Sequence, residues 1–267
     1  VMRMSGRTKY TKSTIIAALR DIRSRGWLKS CRNVHNDGAI GNTLEDLLGI
    51  SENNLPLPNA AEWELKTQRK DTSALLTLFH LEPSPRGLHI TDYLISNYGW
   101  KHRYAGIKYQ DSEKSFRQTL SYMKPTSRGF FIDIDTDSSR IVVRFDPSCI
   151  DDELTGWKND LIAHNRIKYD NDYLPYWGFN DVYHKAGIKL GNCFYVLADV
   201  KKEGEDYFYR YSDIMQMSGF TLDKFLSNIT DGNILIDFDA RTSHNHGTKF
   251  RIKQNAIPLL YEDVIHI

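Results

Sequence analysis

Apolar residues recur along this chain with two periods, and each period marks a class of element. Ile15, Leu19 and Ile22 fall three to four residues apart and predict a helix from Thr11 to Arg25, stopped by Gly26. Leu44, Leu47 and Leu48 repeat that spacing behind Asn42-Thr43, either of which can cap a short helix with Glu45 in its first turn. From Ala61 to Gln68 polar and apolar residues alternate, as in a strand. Trp63 and Leu65 then pack on one face, and Glu64 and Lys66 project together from the other, exposed face. Residues 73–81 form a largely apolar run, the pattern of a strand at a sheet centre, broken by Pro83, Pro85 and Gly87.

Residues 91–98 predict a short helix, and the polar, aromatic and basic stretch 99–128 predicts loops. Phe130 to Asp135 and Arg140 to Phe145 flank a turn-rich pentapeptide and predict a hairpin. A helix follows over 154–163, with Trp157 and Leu161 on one side. Cys193 to Val200 and Tyr207 to Tyr211 predict a second hairpin, with Tyr207, Phe208, Tyr209 and Tyr211 as its core. Leu222, Phe225, Leu226 and Ile229 mark a helix ending near Gly232, and the last strands are 234–240 and 248–252. The fold class is α/β in the mixed (α+β) sense, with antiparallel hairpins dominating the second half.

At 267 residues and 40% hydrophobic content the chain has material for one large domain or two lobes. The division expected is 1–125, mainly catalytic, and 126–267, mainly for recognition. No run of about eighteen apolar residues predicts a membrane span, and no secretory signal is visible. The first residue is Val, which reads as a fragment or an expression remnant and leaves room for a further N-terminal domain. Cys31, Cys149 and Cys193 are isolated and odd in number, which fits idle thiols in a reducing cytoplasm. Net charge is only +1, but its distribution is uneven. Residues 1–32 carry nine Lys or Arg against the single acid Asp21, and residues 240–253 carry four, with two His and no acid. Such zones supply phosphate contacts in a chain that is nearly neutral overall.

The candidate chemistry centres on Glu64-Leu65-Lys66. A carboxylate beside an ammonium can hold a divalent metal and position a water, and magnesium-dependent phosphodiester cleavage needs both. The bland alternatives are a surface ion pair for Glu64 and Lys66 and a favourable first-turn acid for Glu45. His244 and His246 have the spacing of half a zinc site, but no further ligand cluster lies nearby in the sequence. Base recognition suits them better, since Arg reads guanine edges while His and Asn donate or accept at others.

The ordered set Asn42-Thr43-Leu44-Glu45-Asp46-Leu47-Leu48, Asn54 to Asn59, Glu64 to Thr67, Ser73 to Phe79, Pro85-Arg86-Gly87 and His244 to Ile252 resembles the MvaI/BcnI-type restriction endonucleases, of the MutH-like branch of PD-(D/E)xK nucleases. The resemblance spans both ends of the chain. It implies a restriction-endonuclease-like mixed sheet with flanking helices, in two lobes around a DNA cleft. It implies a cytoplasmic enzyme of a prokaryotic cell that cuts double-stranded DNA as a monomer, nicking each strand in turn. The implied site is a short C/G-flanked pseudopalindrome of the CC-A/T-GG or CC-C/G-GG kind. Glu45, Asn59, Glu64 and Lys66 become the catalytic set, with Glu45, Asn59 and Glu64 holding Mg²⁺, or Mn²⁺ in its place. Arg86, Asp239, Arg241, His244, His246, Lys249 and Arg251 become DNA contacts. Position 59 departs from the pattern, which has Asp there. Either the Asn is an inactivating substitution that traps a DNA complex, which the intact remainder of the motif favours, or it is natural and Glu45 and Glu64 carry the metal. The competing functions are a MutH-like mismatch-repair nicking enzyme and a non-catalytic DNA-binding module.

Overall fold

The computed structural model describes residues 10–32, 36, 38–50, 54–56, 62–85, 90–166 and 174–267, with the side chains of 54–56, 62 and 90 excepted. In chain order the elements are α1 (Lys12–Ser24), β1 (Leu28–Lys29), α2 (Gly38–Leu48), β2 (Asn54–Pro56), β3 (Glu62–Arg69), β4 (Leu76–His80), α3 (Ile90–Tyr98), β5 (Trp100–Lys101), β6 (Lys114–Leu120), β7 (Arg128–Asp135) and β8 (Arg140–Ile150). They continue with α4 (Thr155–Ala163), β9 (Tyr176–Gly178), α5 (Phe179–Leu190), β10 (Asn192–Glu203), β11 (Asp206–Phe220), α6 (Leu222–Thr230), β12 (Ile234–Arg241), β13 (His244–Asn245), β14 (Lys249–Ile252) and β15 (Tyr261–His266). The mixed α+β class is the one expected. Among the described residues no helix is long and apolar enough to cross a membrane.

By contacts the chain forms two units, residues 1–76, 187–221 and 257–267, and residues 77–186 and 222–256. The boundary expected near residue 125 falls inside the second unit, and 187–221, well past it, belongs to the first. The first unit is built on a sheet of order β1-β11-β10-β3-β2, with β15 also paired to β11. Its β3 lies parallel to β10 and antiparallel to β2. Trp63 and Leu65 face a core made with Ile15, Leu19 and Ile22 of α1, Ile40, Leu44 and Leu48 of α2, and Phe194 and Val196 of β10. The Trp63 and Phe194 rings stand 4.7 Å apart. At the start of α1, Thr11 Oγ1 accepts from the Thr14 N–H (3.2 Å) and Thr14 Oγ1 from the Thr11 N–H (2.7 Å), a reciprocal cap that satisfies two otherwise orphan donors.

The second unit holds a sheet of order β4-β14-β12-β6-β5, with β13 beside β12, and a three-stranded sheet β7-β8-β9. Its core is aromatic. Phe116, Phe130, Trp177, Phe238 and Phe250 are all fully or almost fully buried. Phe116 meets Phe130 and Phe238 edge-on at 5.4 and 5.5 Å, the geometry that ring quadrupoles favour.

Several expectations need correction. Residues 99–128 are not all loop: β6 lies within them, and its Phe116 and Leu120 are buried against the sheet. Arg117 and Thr119 between them occupy the opposite face and dilute the apolar signal. The strand β4 ends its sheet instead of occupying the centre. Helix α2 begins at Gly38, and Asn36 Oδ1 accepts from the Ala39 N–H (3.0 Å). Thr43 is therefore no cap. It is buried inside the helix, donating to Ala39 O (2.8 Å), and Glu45 lies beyond the first turn. Helix α5, with Val182, Ala186 and Leu190 buried at intervals of four, and the short strands β9 and β15 were not foreseen.

Phe194 is buried where α1, α2 and β3 share one core, so Phe194→Ala should cost about 3–5 kcal/mol. The shift of the chemical-denaturation midpoint measures it. Truncating the exposed Ile188 in the same assay should change stability by no more than about 0.5 kcal/mol.

Candidate functional site

Alternation along β3 places Glu64, Lys66 and Gln68 on the face away from Trp63 and Leu65. Lys66 Nζ stands 3.5 Å from Glu64 Oε1, and each side chain is only 11% exposed. The pair is thus a largely desolvated one on an inner strand, not the exposed pair expected. Removing one member would strand a charge, so the surroundings must accommodate both. The parallel register sets Cys193 beside Glu64 and Tyr195 beside Lys66. Tyr195 donates its hydroxyl to Gln68 Oε1 (2.6 Å), and Gln68 Nε2 donates to Ala74 O (3.0 Å), which fixes the buried amide two residues beyond Lys66. Burial pushes the Cys193 thiol up to about 12, so this neighbour of the pair is a neutral thiol, not a thiolate. Tyr261 is likewise held well above its ordinary value by burial.

Glu45 projects from α2, which packs on β3. Burial, then the neighbouring Asp46, raise its carboxyl above the ordinary range, with Arg32 acting in the opposite sense. A cation near it would relieve that cost. Among the described residues no group of three or more His, Cys, Asp and Glu forms a ready metal cluster. Asn59 and Arg86 lie outside the described residues. The structure therefore brings Glu64 and Lys66 together and sets Glu45 on the helix packed against their strand.

In the second unit β12 alternates Ile236, Phe238 and Ala240 toward the core with Asp237, Asp239 and Arg241 on the other face. Pairing with β6 and β14 adds Arg117, Thr119, Lys249 and Arg251 to that face. Each of the four bases on this face, Arg117, Arg241, Lys249 and Arg251, has an acid. Arg251 Nη1 donates to Asp237 Oδ2 (2.9 Å), and Thr119 Oγ1 to the other oxygen of that carboxylate (2.6 Å). Asp239 lies 3.5 Å from Arg117 Nε and 4.0 Å from Lys249 Nζ. Arg241 Nη1 donates to Glu113 Oε1 (3.0 Å), and its guanidinium sits 4.3 Å from the Tyr109 ring centre. Planar guanidiniums held this way present their remaining donors in a set direction.

His244 and His246 are exposed, with their rings edge-on at 4.2 Å. Glu82 anchors their loop. One of its carboxylate oxygens accepts from the Thr248 N–H (2.7 Å), the other from Asn245 Nδ2 (3.3 Å). Asp239, Arg241 and His246 share a concavity of about 250 Å³ with Arg103, Lys108 and Arg117. Sequence reasoning missed Glu82, Glu113, Arg103, Lys108 and Arg117. The basic and aromatic density of 99–128 was the signal for three of them, whereas the two glutamates carried little or none.

A family model matches residues 16–261, nearly the whole chain. The chain belongs to the MvaI/BcnI restriction endonuclease family. A solved structure of the restriction endonuclease MvaI with a cognate DNA substrate is similar over 95% of this chain and 97% of that one, with 26% identity and a TM-score of 0.69. MvaI in the absence of DNA is similar over the whole of both chains, with 23% identity and a TM-score of 0.56, a likeness of fold. No curated protein matches the chain. Membership of the MvaI/BcnI family makes a site-specific nuclease the frame for both clusters.

Burial opposes ionisation of Glu113, but hydrogen bonds from Arg241 and Ser243 outweigh it and hold the carboxyl below its ordinary value of 4.5. A depressed folded-state pKa means stability that is full above that ordinary value and is lost as pH falls through the lower folded one. Between about pH 5 and about pH 3 the unaltered protein should therefore lose more stability than Glu113→Gln. Thermal melting of both across that range checks it; equal losses would contradict the pairing.

Proposed function

We propose that this family member is a Mg²⁺-dependent, sequence-specific DNA endonuclease with a restriction role in the cytoplasm of a prokaryotic cell. The observation that supports it most is the desolvated Glu64–Lys66 pair on an inner strand, in the ExK spacing of the resemblance. Glu64 and Glu45 offer hard carboxylate oxygens of the kind Mg²⁺ takes. Glu45, position 59 and Glu64 would hold the ion, with Mn²⁺ a substitute. When bound, the ion supplies Lewis-acid stabilisation of charge on the phosphodiester.

Lys66 holds the attacking water and polarises it, and Glu64 keeps the ammonium aimed. The water oxygen attacks phosphorus, the bond to the 3′ oxygen breaks, and that oxygen takes up a proton. The products are a 5′-phosphate and a 3′-hydroxyl. Arg241, His244, His246, Arg251 and Asp239 contact bases or phosphates, Lys249 contacts phosphate, and Arg86 contributes from its own segment. The target is a short C/G-flanked site such as CC-A/T-GG, cut by a monomer one strand at a time. Asn59 offers an uncharged amide oxygen and so weakens metal binding, while DNA binding persists because less negative charge faces the phosphates.

Digestion of a supercoiled plasmid of known sequence tests this reading. Asn59→Asp should raise cleavage about a hundredfold or more, and adding Glu64→Gln or Lys66→Ala to that variant should remove the gain. No gain from the acid would refute the metal-ligand role of position 59. Linear product with mapped ends at a CC-A/T-GG-like site supports a restriction role, whereas stable nicked circles would replace it with a MutH-like nicking enzyme.

A further inference from the structure

Ile107, 83% exposed, is the most exposed of the large apolar side chains among the described residues. It sits at the tip of the loop between β5 and β6, and that loop is internally braced. Tyr104 O accepts from the N–H groups of Ile107 (3.1 Å), Lys108 (3.0 Å) and Tyr109 (3.1 Å). The Gly106 N–H donates to Tyr109 O (2.9 Å), and Gly106 has φ +76°, a left-handed value that glycine takes without a Cβ penalty. The conformational entropy of shaping this tip is therefore lost on folding and need not be lost again on binding.

Cations flank the tip. The Arg103 guanidinium lies 4.6 Å from the Tyr104 ring centre and Lys108 Nζ lies 5.7 Å from that of Tyr109. Among the described residues neither cation has a carboxylate partner. His102, Arg103, Tyr104, Lys108 and Tyr109 form one wall of the concavity that Arg117, Asp239, Arg241 and His246 complete.

We infer that this loop is a wedge for double-stranded DNA: Ile107 enters a groove against a base step while Arg103 and Lys108 neutralise the flanking phosphates. An apolar tip between unpaired cations matches base pairs between two phosphate rows, and apolar wedges at base steps are an established means of engaging duplex DNA. A protein-binding patch would surround Ile107 with broad apolar surface, yet among the described residues of this loop the only other exposed large apolar side chain is Tyr104, and Gly106 and Lys108 flank Ile107 directly. The inference rests on the reading of the chain as a DNA enzyme and adds an element that the sequence analysis left as plain loop.

The test is fluorescence anisotropy with a 20-base-pair duplex carrying a central CCAGG, over a series of KCl concentrations without divalent metal. Ile107→Ala should weaken binding about tenfold at every salt concentration with an unchanged salt slope, and Ile107→Leu should retain most of the affinity. The Arg103→Ala/Lys108→Ala double variant should reduce the slope of log K against log salt by about two. Unchanged melting temperatures exclude misfolding as the cause. An Ile107→Ala protein of undiminished affinity overturns the wedge, and an undiminished slope in the double variant overturns its phosphate contacts. Absence of salt-sensitive binding by the unaltered protein overturns both this inference and the DNA-binding reading beneath it, so the two failures are distinguishable.

Discussion

The parallel pairing of β3 with β10 is the constraint on which the first unit depends. It turns Trp63 and Leu65 toward Phe194, Val196 and the two helices, and so commits one face of the strand to an apolar core. Because side chains alternate along a strand, that burial leaves Glu64 and Lys66 no choice of face. A slip of one residue would put a carboxylate and an ammonium into the apolar core, at a cost far larger than any gain elsewhere. The position of the proposed catalytic pair is thus a by-product of hydrophobic register.

The second unit uses the same device for a different purpose. Phe116, Phe238 and Phe250 lie on one side of the sheet, and their strand neighbours Arg117, Asp239, Lys249 and Arg251 form the other. Acids between the bases keep the long side chains from wandering and hold net charge low. This is why a chain with a net charge of only +1 still presents ordered cations. Composition averages these opposite signs away, and geometry keeps them apart.

How much was legible depended on how local the cause was. The helix over 12–24 and the alternation of 62–69 follow from side-chain spacing alone, and both lie where the pattern set them. Thr43 misled because a threonine before an apolar run reads as a cap, whereas here Asn36 starts the helix earlier and Thr43 back-bonds to Ala39 O. The strand β6 was hidden because only Phe116 and Leu120 report its buried face, and the residues on its other side look like loop. Glu113 had no signature, since Arg241 and Ser243 stand more than a hundred residues away in sequence, and Glu82 had little, since Asn245 and Thr248 are equally remote and only Thr91 is near.

By itself the sequence determined the local periods, the mixed α and β class, the ExK triplet and the family. These depend on neighbours within a few residues or on an ordered set of short motifs. Only the tertiary structure decided that 187–221 returns to complete the sheet around β3, that the Glu64–Lys66 pair is largely dry, and that Arg241 is braced by Glu113 and Tyr109. Burial and ion pairing are properties of residues brought together across long stretches of chain, and no local period encodes which stretches will meet.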